Sequence, residues 1–255
     1  MNPVNNSQRI AAKVAGVSGL LAVFIVVFGN YVLLNPLIVR GDAVETARNI
    51  MAHETQFRVA ITCFLAYSAI VVVLLASFYV VLRPVNEGLA LVGALFRLVF
   101  AIMWLLSTLN MLGALRLVGG ASYLRTFETD QLHVLARLNI GATFDDYYVG
   151  LPFFALAATV CAWLWLKSTY IPKVLALFGI AASAWCVICA FIFLIFPGFA
   201  RPVDPYWFDS PMAIFELILS IWLVWKGIQP HNSGEAGPAV ERSRKFGSLR
   251  LPVFL

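Results

Sequence analysis

The sequence predicts an all-α fold, a polytopic membrane bundle of six transmembrane helices with short amphipathic surface helices, and three observations lead to this class. Of the 255 residues, 61% are hydrophobic and only 12% are charged, whereas soluble domains contain about 25% charged residues. Several apolar runs are longer than about 18 residues, the length that indicates a transmembrane helix. Trp and Tyr residues cluster near the ends of these runs, as expected at membrane–water interfaces.

A chain of 255 residues is long enough for one six-span membrane bundle and no separate soluble domain. We expect a single six-span domain over residues 1–228 and a polar, basic tail over residues 229–255 that is disordered and cytoplasmic. The four cysteines lie within apolar runs, where cysteine behaves as a small hydrophobic residue. The sequence therefore predicts no cofactor and no metal site. It has no basic–aromatic motif for nucleic acid, and the expected partners are the lipid bilayer and a small polar ligand or ion.

The first predicted span covers about residues 14–39. Arg9 and Lys13 precede it, as in a signal peptide, but the apolar run is longer than the roughly 7–15 residues of a signal peptide core. We therefore expect a retained transmembrane helix. Small residues recur four positions apart, a spacing that favours close helix packing: Ala12 with Gly16, and Ala15 with Gly19.

A charged segment, residues 40–58, connects the first two spans. Asp42 is predicted to cap a helix, because Glu45 follows three residues later as in a capping box. We expect this helix to continue directly into the second span, about residues 59–82.

The third span covers about residues 87–115 and follows a tight Arg-Pro turn. After it, Thr129 is a candidate helix cap and Gly141 a candidate stop, with apolar residues at helical spacing between them. This pattern predicts a separate amphipathic helix that lies on the membrane face. The remaining spans are expected at about residues 148–166, 171–196 and 211–228.

Lys and Arg residues are more frequent on one side of the predicted membrane. Ten lie on the side of the N-terminus, the Arg-Pro turn and the tail, and seven lie on the other side. Because cytoplasmic loops carry an excess of Lys and Arg, we expect both termini in the cytoplasm.

Asp204 and Asp209 lie among aromatic residues before the sixth span. With both termini in the cytoplasm, these residues would form part of a lid over the outer face of the bundle.

Arg97 is the most informative single residue, because it lies deep inside the apolar third span. At about 1.5 Å per residue it is about 15 Å from the start of the helix. Charged side chains at this depth face a bundle interior or an aqueous cavity and usually have a partner. Glu216, in the short sixth span, is the candidate partner. The pair would either fix helix register or form a ligand or ion site; alternatively, Arg97 extends to the interface.

A second polar group lies before the second span. Asn49 and His53 are four residues apart, as are Glu54 and Arg58, in the order that favours an ion pair on a helix. The His-Glu dipeptide begins like a zinc protease motif, but Phe57 stands where the second histidine ligand is required. These four residues are interpreted either as a solvated helix cap or as a polar rim to a ligand cavity that also holds Arg97 and Glu216.

Three stretches carry a resemblance to a known family: residues 82–98 around Arg97, Trp-Leu-Lys-Ser-Thr-Tyr-Ile-Pro at 165–172 followed by Leu-Ala-Leu-Phe-Gly at 175–179, and Pro-Met-Ala-Ile-Phe-Glu at 211–216 leading to Trp-Leu-Val-Trp-Lys-Gly at 222–227. They resemble the bacterial membrane family called domain of unknown function 4386, over about residues 11–228. The resemblance implies a multi-pass protein of the bacterial cytoplasmic (inner) membrane, with no assigned activity. That family is associated with an acidic residue shortly after the arginine. Here Leu-Val-Phe-Ala follows instead, which directs attention to Glu216.

We expect an integral membrane protein that binds or transports a small polar or ionic ligand through an intramembrane cavity holding Arg97 and Glu216. An enzyme is the less favoured class, because no phosphate-binding glycine loop, nucleophile elbow or metal cluster occurs. Two alternatives stay open. One is a membrane-embedded enzyme that acts on a lipid or lipid-like substrate through His53 and Glu54. The other is a structural or signalling protein whose buried ion pair is purely architectural.

Overall fold

The structure is a computed structural model that describes residues 4–196, 198 and 206–228. These residues form seven α-helices with short 3-10 and π-helical segments, and no strand occurs among them. Six of the α-helices are long and apolar enough to cross a membrane. The predicted class, an all-α multi-pass membrane bundle with six spans, is confirmed. The predicted tail, residues 229–255, and Asp204 lie outside the described residues.

The helix bounds are close to the predicted spans at most ends. The α-helices, in chain order, are α1 Asn6–Val27, α2 Ala43–Ala52, α3 Glu54–Leu82, α4 Glu87–Val118, α5 Thr129–Ser168, α6 Lys173–Ile195 and α7 Tyr206–Trp225. All except the ten-residue α2 contain a candidate span. A π-helical segment, Phe28–Leu34, and a 3-10 turn, Asn35–Leu37, extend α1, so the first span runs from Asn6 to Leu37.

The first helix begins well before residue 14 because its N-terminus is capped. The Gln8 backbone N–H donates to the Asn5 side chain at 2.8 Å, and the Asn5 backbone N–H donates to the Gln8 side chain at 3.1 Å. This reciprocal capping box satisfies two N–H groups that a helix N-terminus otherwise leaves unpaired. The Gln8 amide also donates to the Val81 carbonyl at 3.2 Å, which joins the start of α1 to the end of α3.

The segment before the second span forms a separate helix. Asp42 caps α2 as predicted, since its carboxylate accepts from the Glu45 N–H at 2.9 Å. The expected continuation into the second span is wrong, because the backbone leaves the helical conformation at His53, with φ −124° and ψ 43°. A new helix, α3, begins at Glu54. This break lets α2 bury one side against the bundle through Thr46, Ala47 and Ile50.

The predicted separate amphipathic helix at residues 129–141 is also wrong, because α5 is one helix of 40 residues. Gly141 does not stop it, since Ala136, Ile140 and Thr143 on either side of that glycine are buried. Packing between α4 and α5 is the most extensive of any helix pair in the described chain, and this burial outweighs the weak helix preference of glycine. The cap is Glu128, one residue before Thr129.

The six spans form a closed ring. Each packs against its neighbours in the order α1, α3, α4, α5, α6, α7, and α7 packs back against α1. We call the end with the start of α1 and the α3–α4 turn the Arg83 end. The other end, with α2 and the α4–α5 connection, is the α2 end. The short helix α2 packs mainly against α5 there.

Small residues bring α1 and α7 into close contact near the Arg83 end, as their spacing predicts. Ala12, Ala15, Gly16 and Gly19 are all buried. A Cβ atom added at Gly16 would lie 2.8 Å from the Ser220 carbonyl oxygen and 2.9 Å from the Val224 nitrogen. Only glycine fits at this position, because both neighbouring atoms belong to the backbone of α7.

Candidate functional site

Arg97 lies in the interior of the ring. The Asn86 side chain caps α4 by accepting from the Leu89 N–H at 2.9 Å. Arg97 is ten residues after the first residue of this helix, so it is about 15 Å along the helix axis. Its side chain is only 2% exposed. The helix face that it shares with Ala101, Trp104 and Thr108 is buried, as the spacing predicts.

Glu216 of α7 is the partner of Arg97. The Arg97 Nη1 atom lies 3.4 Å from Glu216 Oε2, and Nη2 contacts Oε1. The guanidinium lies between two aromatic rings, with its central carbon 5.5 Å from the Phe78 ring centroid and 5.0 Å from that of Phe154. Since α4 and α7 are not neighbours in the ring, the ion pair crosses the centre of the bundle.

A cavity of about 270 Å³ lies beside this pair, on the side of the α2 end. Residues of α1, α3, α4, α5 and α7 line it, from Arg97 to Ser107 along α4. These two residues are ten positions apart, so the cavity extends about 15 Å along the helix axis. Arg97 and Glu216 form its deepest polar surface.

The bundle is closed on the opposite side of Arg97. There Phe78, Leu82 and Cys161 belong to a buried apolar cluster that also contains Trp165 and Leu219. The ion pair therefore forms the floor of a cavity that does not continue to the Arg83 end.

Eight aromatic residues form much of the cavity wall: Tyr31, Phe64, Tyr67, Phe100, Trp104, Phe144, Tyr147 and Phe154. Trp104 is central among them. Its ring centroid lies 4.6 Å from that of Tyr67, 5.0 Å from that of Phe64, 6.2 Å from that of Phe100 and 6.3 Å from that of Tyr147. The indole N–H of Trp104 is buried without an acceptor in the described part of the chain. A buried donor normally has a partner, so this group is left for a water molecule or a ligand.

A second carboxylate lines the cavity nearer to the α2 end. The Tyr147 hydroxyl of α5 donates to the carboxylate of Asp209 in α7, and both residues line the cavity. The sequence placed Asp209 in a lid over the outer face. The structure places it in the first turn of α7, on the cavity wall.

Asp146 of α5 has specific hydrogen-bond partners. Its Oδ2 atom accepts from the Asn110 amide at 2.8 Å and from the Ser107 hydroxyl at 3.3 Å. Asp145 is exposed. Helical periodicity separates the two neighbours, since adjacent residues point about 100° apart around a helix.

The π-helical segment of the first span supplies part of the cavity wall. Asn30, Tyr31 and Leu34 lie in this segment and line the cavity. The backbone N–H of Asn35 bonds to the carbonyl of Asn30, five residues earlier, in place of the usual four. Such π-turns often occur at functional sites.

The four residues predicted as a polar rim do not line the cavity. The His53 ring nitrogen Nδ1 lies 3.1 Å from the Asn49 carbonyl oxygen, at the break between α2 and α3. Arg58 and Glu54 form the expected ion pair at 2.7 Å, with side chains 59% and 50% exposed. Among the residues that the structure describes, no three His, Cys, Asp or Glu side chains form a group that suits a metal ion.

A family model described as a domain of unknown function (DUF4386) matches residues 14–227. No curated protein and no solved structure matches the chain.

Proposed function

Because the chain belongs to this DUF4386 family, whose description assigns no activity, we propose a function from the cavity itself: the protein binds a small polar or ionic ligand inside the membrane, beside Arg97 and Glu216. The observation that carries this proposal is the position of the buried ion pair. It forms the floor of a cavity of about 270 Å³ instead of lying in a closely packed interior.

Energetic considerations favour a role for the pair beyond holding the helices together. Removing two charges from water is costly, and apolar residues of similar volume often stabilise a bundle as well or better. Charged residues within spans therefore mark ligand or ion pathways more often than architecture. A purely architectural pair would have no need of an adjoining cavity with polar groups along its length.

The shape of the cavity favours binding over free conduction. An open channel would continue past Arg97, whereas buried apolar residues, among them Phe78, Leu82 and Cys161, fill the bundle on the Arg83 side of the pair. Transport would require the floor to open, for example by separation of Arg97 from Glu216. We place the Arg83 end in the cytoplasm because ten of the Lys and Arg residues lie on that side and seven on the other. The cavity then faces the outer half of the bacterial inner membrane.

The enzymatic alternative has less support. It relied on His53 and Glu54, and neither residue lines the cavity. Glu54 is instead paired with Arg58 at the surface.

A ligand screen tests the proposal. The purified full chain in lipid nanodiscs would be heated with inorganic cations, inorganic anions, amines, carboxylates or polyols, because a ligand that binds the folded state raises the unfolding temperature. We expect at least one class to raise Tm for the wild type and not for Glu216→Gln. The matched control is Glu54→Gln, which breaks an ion pair at the surface and should keep the response. Absence of a response to every class would contradict the proposal.

A further inference from the structure

We infer that the ligand of this cavity is an organic cation with an apolar part, a quaternary or protonated amine that reaches the site from the lipid; this inference rests on the proposed function. It is carried by the charge of the lining, the aromatic wall and the place where the cavity opens.

The charged residues of the lining favour a positive ligand. Among the residues that the structure describes, the charged ones in the lining are Arg97, Asp209 and Glu216, two carboxylates and one basic group. Both terminal nitrogens of Arg97 already bind Glu216, and its side chain is 2% exposed. The Glu216 side chain is 17% exposed, so part of it remains accessible beside the arginine. Because charges interact strongly where water is excluded, the cavity attracts cations.

The aromatic wall favours an organic cation in particular. The electron-rich faces of Trp, Tyr and Phe attract ammonium groups, and clusters of such rings bind quaternary ammonium ligands. Arg97 already shows this interaction at the cavity floor, 5.0 Å from the Phe154 ring centroid. The rings around Trp104 offer the same surface to a second cation.

Two other ligand classes fit the lining less well. A small anion fits less well, because both Nη groups of Arg97 bind Glu216 and the carboxylates of Glu216 and Asp209 line the same cavity. A hard metal cation such as Mg²⁺ or Ca²⁺ prefers about six or more oxygen ligands. Most of this wall is hydrocarbon and aromatic ring.

The cavity opens between α1 and α7. These helices touch closely at Gly16 and Gly19 near the Arg83 end. Farther along, the cavity is lined by exposed residues of both spans: Val27 at the end of α1, Tyr31 in the π-helical segment that follows it, and Ala213 of α7. This opening lies on the lipid-facing side of two spans. A volume of about 270 Å³ is just below the range of small-molecule sites, roughly 300–1,000 Å³. The cavity therefore accommodates the cationic head group of the ligand, while the apolar part of the ligand stays in the opening.

Charge-selective modification of a cavity cysteine tests the inference. In a chain whose four native cysteines are replaced by alanine, and in which Asp146→Asn removes the carboxylate that lies 3.3 Å from the Ser107 hydroxyl, Ser107→Cys places a thiol on the wall. Two methanethiosulfonate reagents would be compared in nanodiscs, one with a trimethylammonium group and one with a sulfonate group. Rates are normalised to those at Ala52→Cys, an exposed position at the α2 end. We expect the cationic reagent to react at least about tenfold faster at position 107, the lower limit of the rate gain that a charged cleft gives an oppositely charged solute.

The role of Glu216 is tested in the same background. Glu216→Gln should abolish most of the preference for the cationic reagent, whereas Glu54→Gln should preserve it. A second measurement requires no change at Glu216. Dodecyltrimethylammonium, below its micellar concentration, should slow modification of Ser107→Cys, and tetramethylammonium should do so only at higher concentration.

The possible outcomes separate the two proposals. A preference for the anionic reagent, equal rates, or protection by dodecyl sulfate would overturn the inference about the cation and leave the proposed ligand site standing. A thiol at position 107 that reacts with neither reagent, in a protein that no tested solute stabilises, would overturn both.

Discussion

Arg97 in α4 and Glu216 in α7 are joined by a two-point ion pair between helices that are not neighbours in the ring. The pair spans the centre of the bundle and ends a cavity on one side. It therefore contributes both to the packing of the helices and to the proposed site. Substitutions can separate these two contributions.

Single removal of either charge should destabilise the protein strongly. Arg97→Met leaves the Glu216 carboxylate buried without its partner, and we expect a loss of about 3–5 kcal/mol in the free energy of unfolding. The double variant Arg97→Met with Glu216→Leu should recover the stability of the wild type, because no uncompensated charge remains. It should still fail to respond to ligand. Equilibrium unfolding in mixed micelles measures the first effect and the nanodisc Tm screen the second. A double variant that unfolds as easily as the single one would contradict this account.

Close packing between α1 and α7 should depend on Gly16. Gly16→Ala places a Cβ atom 2.8 Å from a carbonyl oxygen of α7, so the two backbones must move apart, at a cost of about 1–3 kcal/mol. Gly88→Ala is the matched control, since the nearest atom to its added Cβ is 3.6 Å away. That change should be neutral or stabilise α4 by up to about 1 kcal/mol. Unfolding of the two variants under identical conditions decides between these expectations.

The adjacent carboxylates of α5 should differ in their effect on stability. Asp146→Ala removes the acceptor for the Asn110 amide and the Ser107 hydroxyl, which should cost about 1–3 kcal/mol. Asp145→Ala, at an exposed position, should change stability by no more than about 0.5 kcal/mol. Equal losses in the two variants would show that the hydrogen bonds to Asp146 do not stabilise the fold.

His53 should be dispensable for ligand binding. His53→Ala changes the junction between α2 and α3 and no residue of the cavity lining. We expect the same ligand-induced rise in Tm as in the wild type. A lost response would revive the interpretation of His53 as part of the site.

The α2 end should face the outside of the cell. In intact cells that express a cysteine-free background, a thiol reagent that does not cross membranes should label Ala52→Cys. It should label Gly88→Cys, at the Arg83 end, only after the cells are opened. The reverse pattern would invert the orientation proposed from the Lys and Arg distribution.

The sequence was sufficient for the parts of the fold that depend on apolar run length. Backbone groups left unpaired in lipid are costly, so each long apolar run must form a helix, and the runs therefore predict six spans. The sequence also identified Glu216 as the acidic residue that could pair with Arg97. The resemblance to the family was also confirmed, over residues 14–227.

Other features depend on packing that no local pattern encodes. Gly141 has the residue type of a helix stop, yet burial of α5 against α4 carries the helix through it. The π-helical segment differs from the apolar turns before it by Gly29, Asn30 and Tyr31, but these residue types do not specify a π-helix, so its five-residue hydrogen bonding is not visible in the sequence. The cavity is a gap between helices, and Asp209 became part of its wall only through the placement of α7.

The ion pair also has a consequence for how the chain is made. Glu216 follows Arg97 by 119 residues, and synthesis at about 5–20 residues per second means that roughly 6–24 s pass between them. During that time Arg97 has already entered the membrane with α4, at an insertion cost of about 2.5–3.5 kcal/mol, and its partner does not yet exist. The strongly apolar residues around Arg97 must carry that helix into the bilayer. Assembly is complete only when the last span arrives, closes the ring against α1 and supplies the counter-charge.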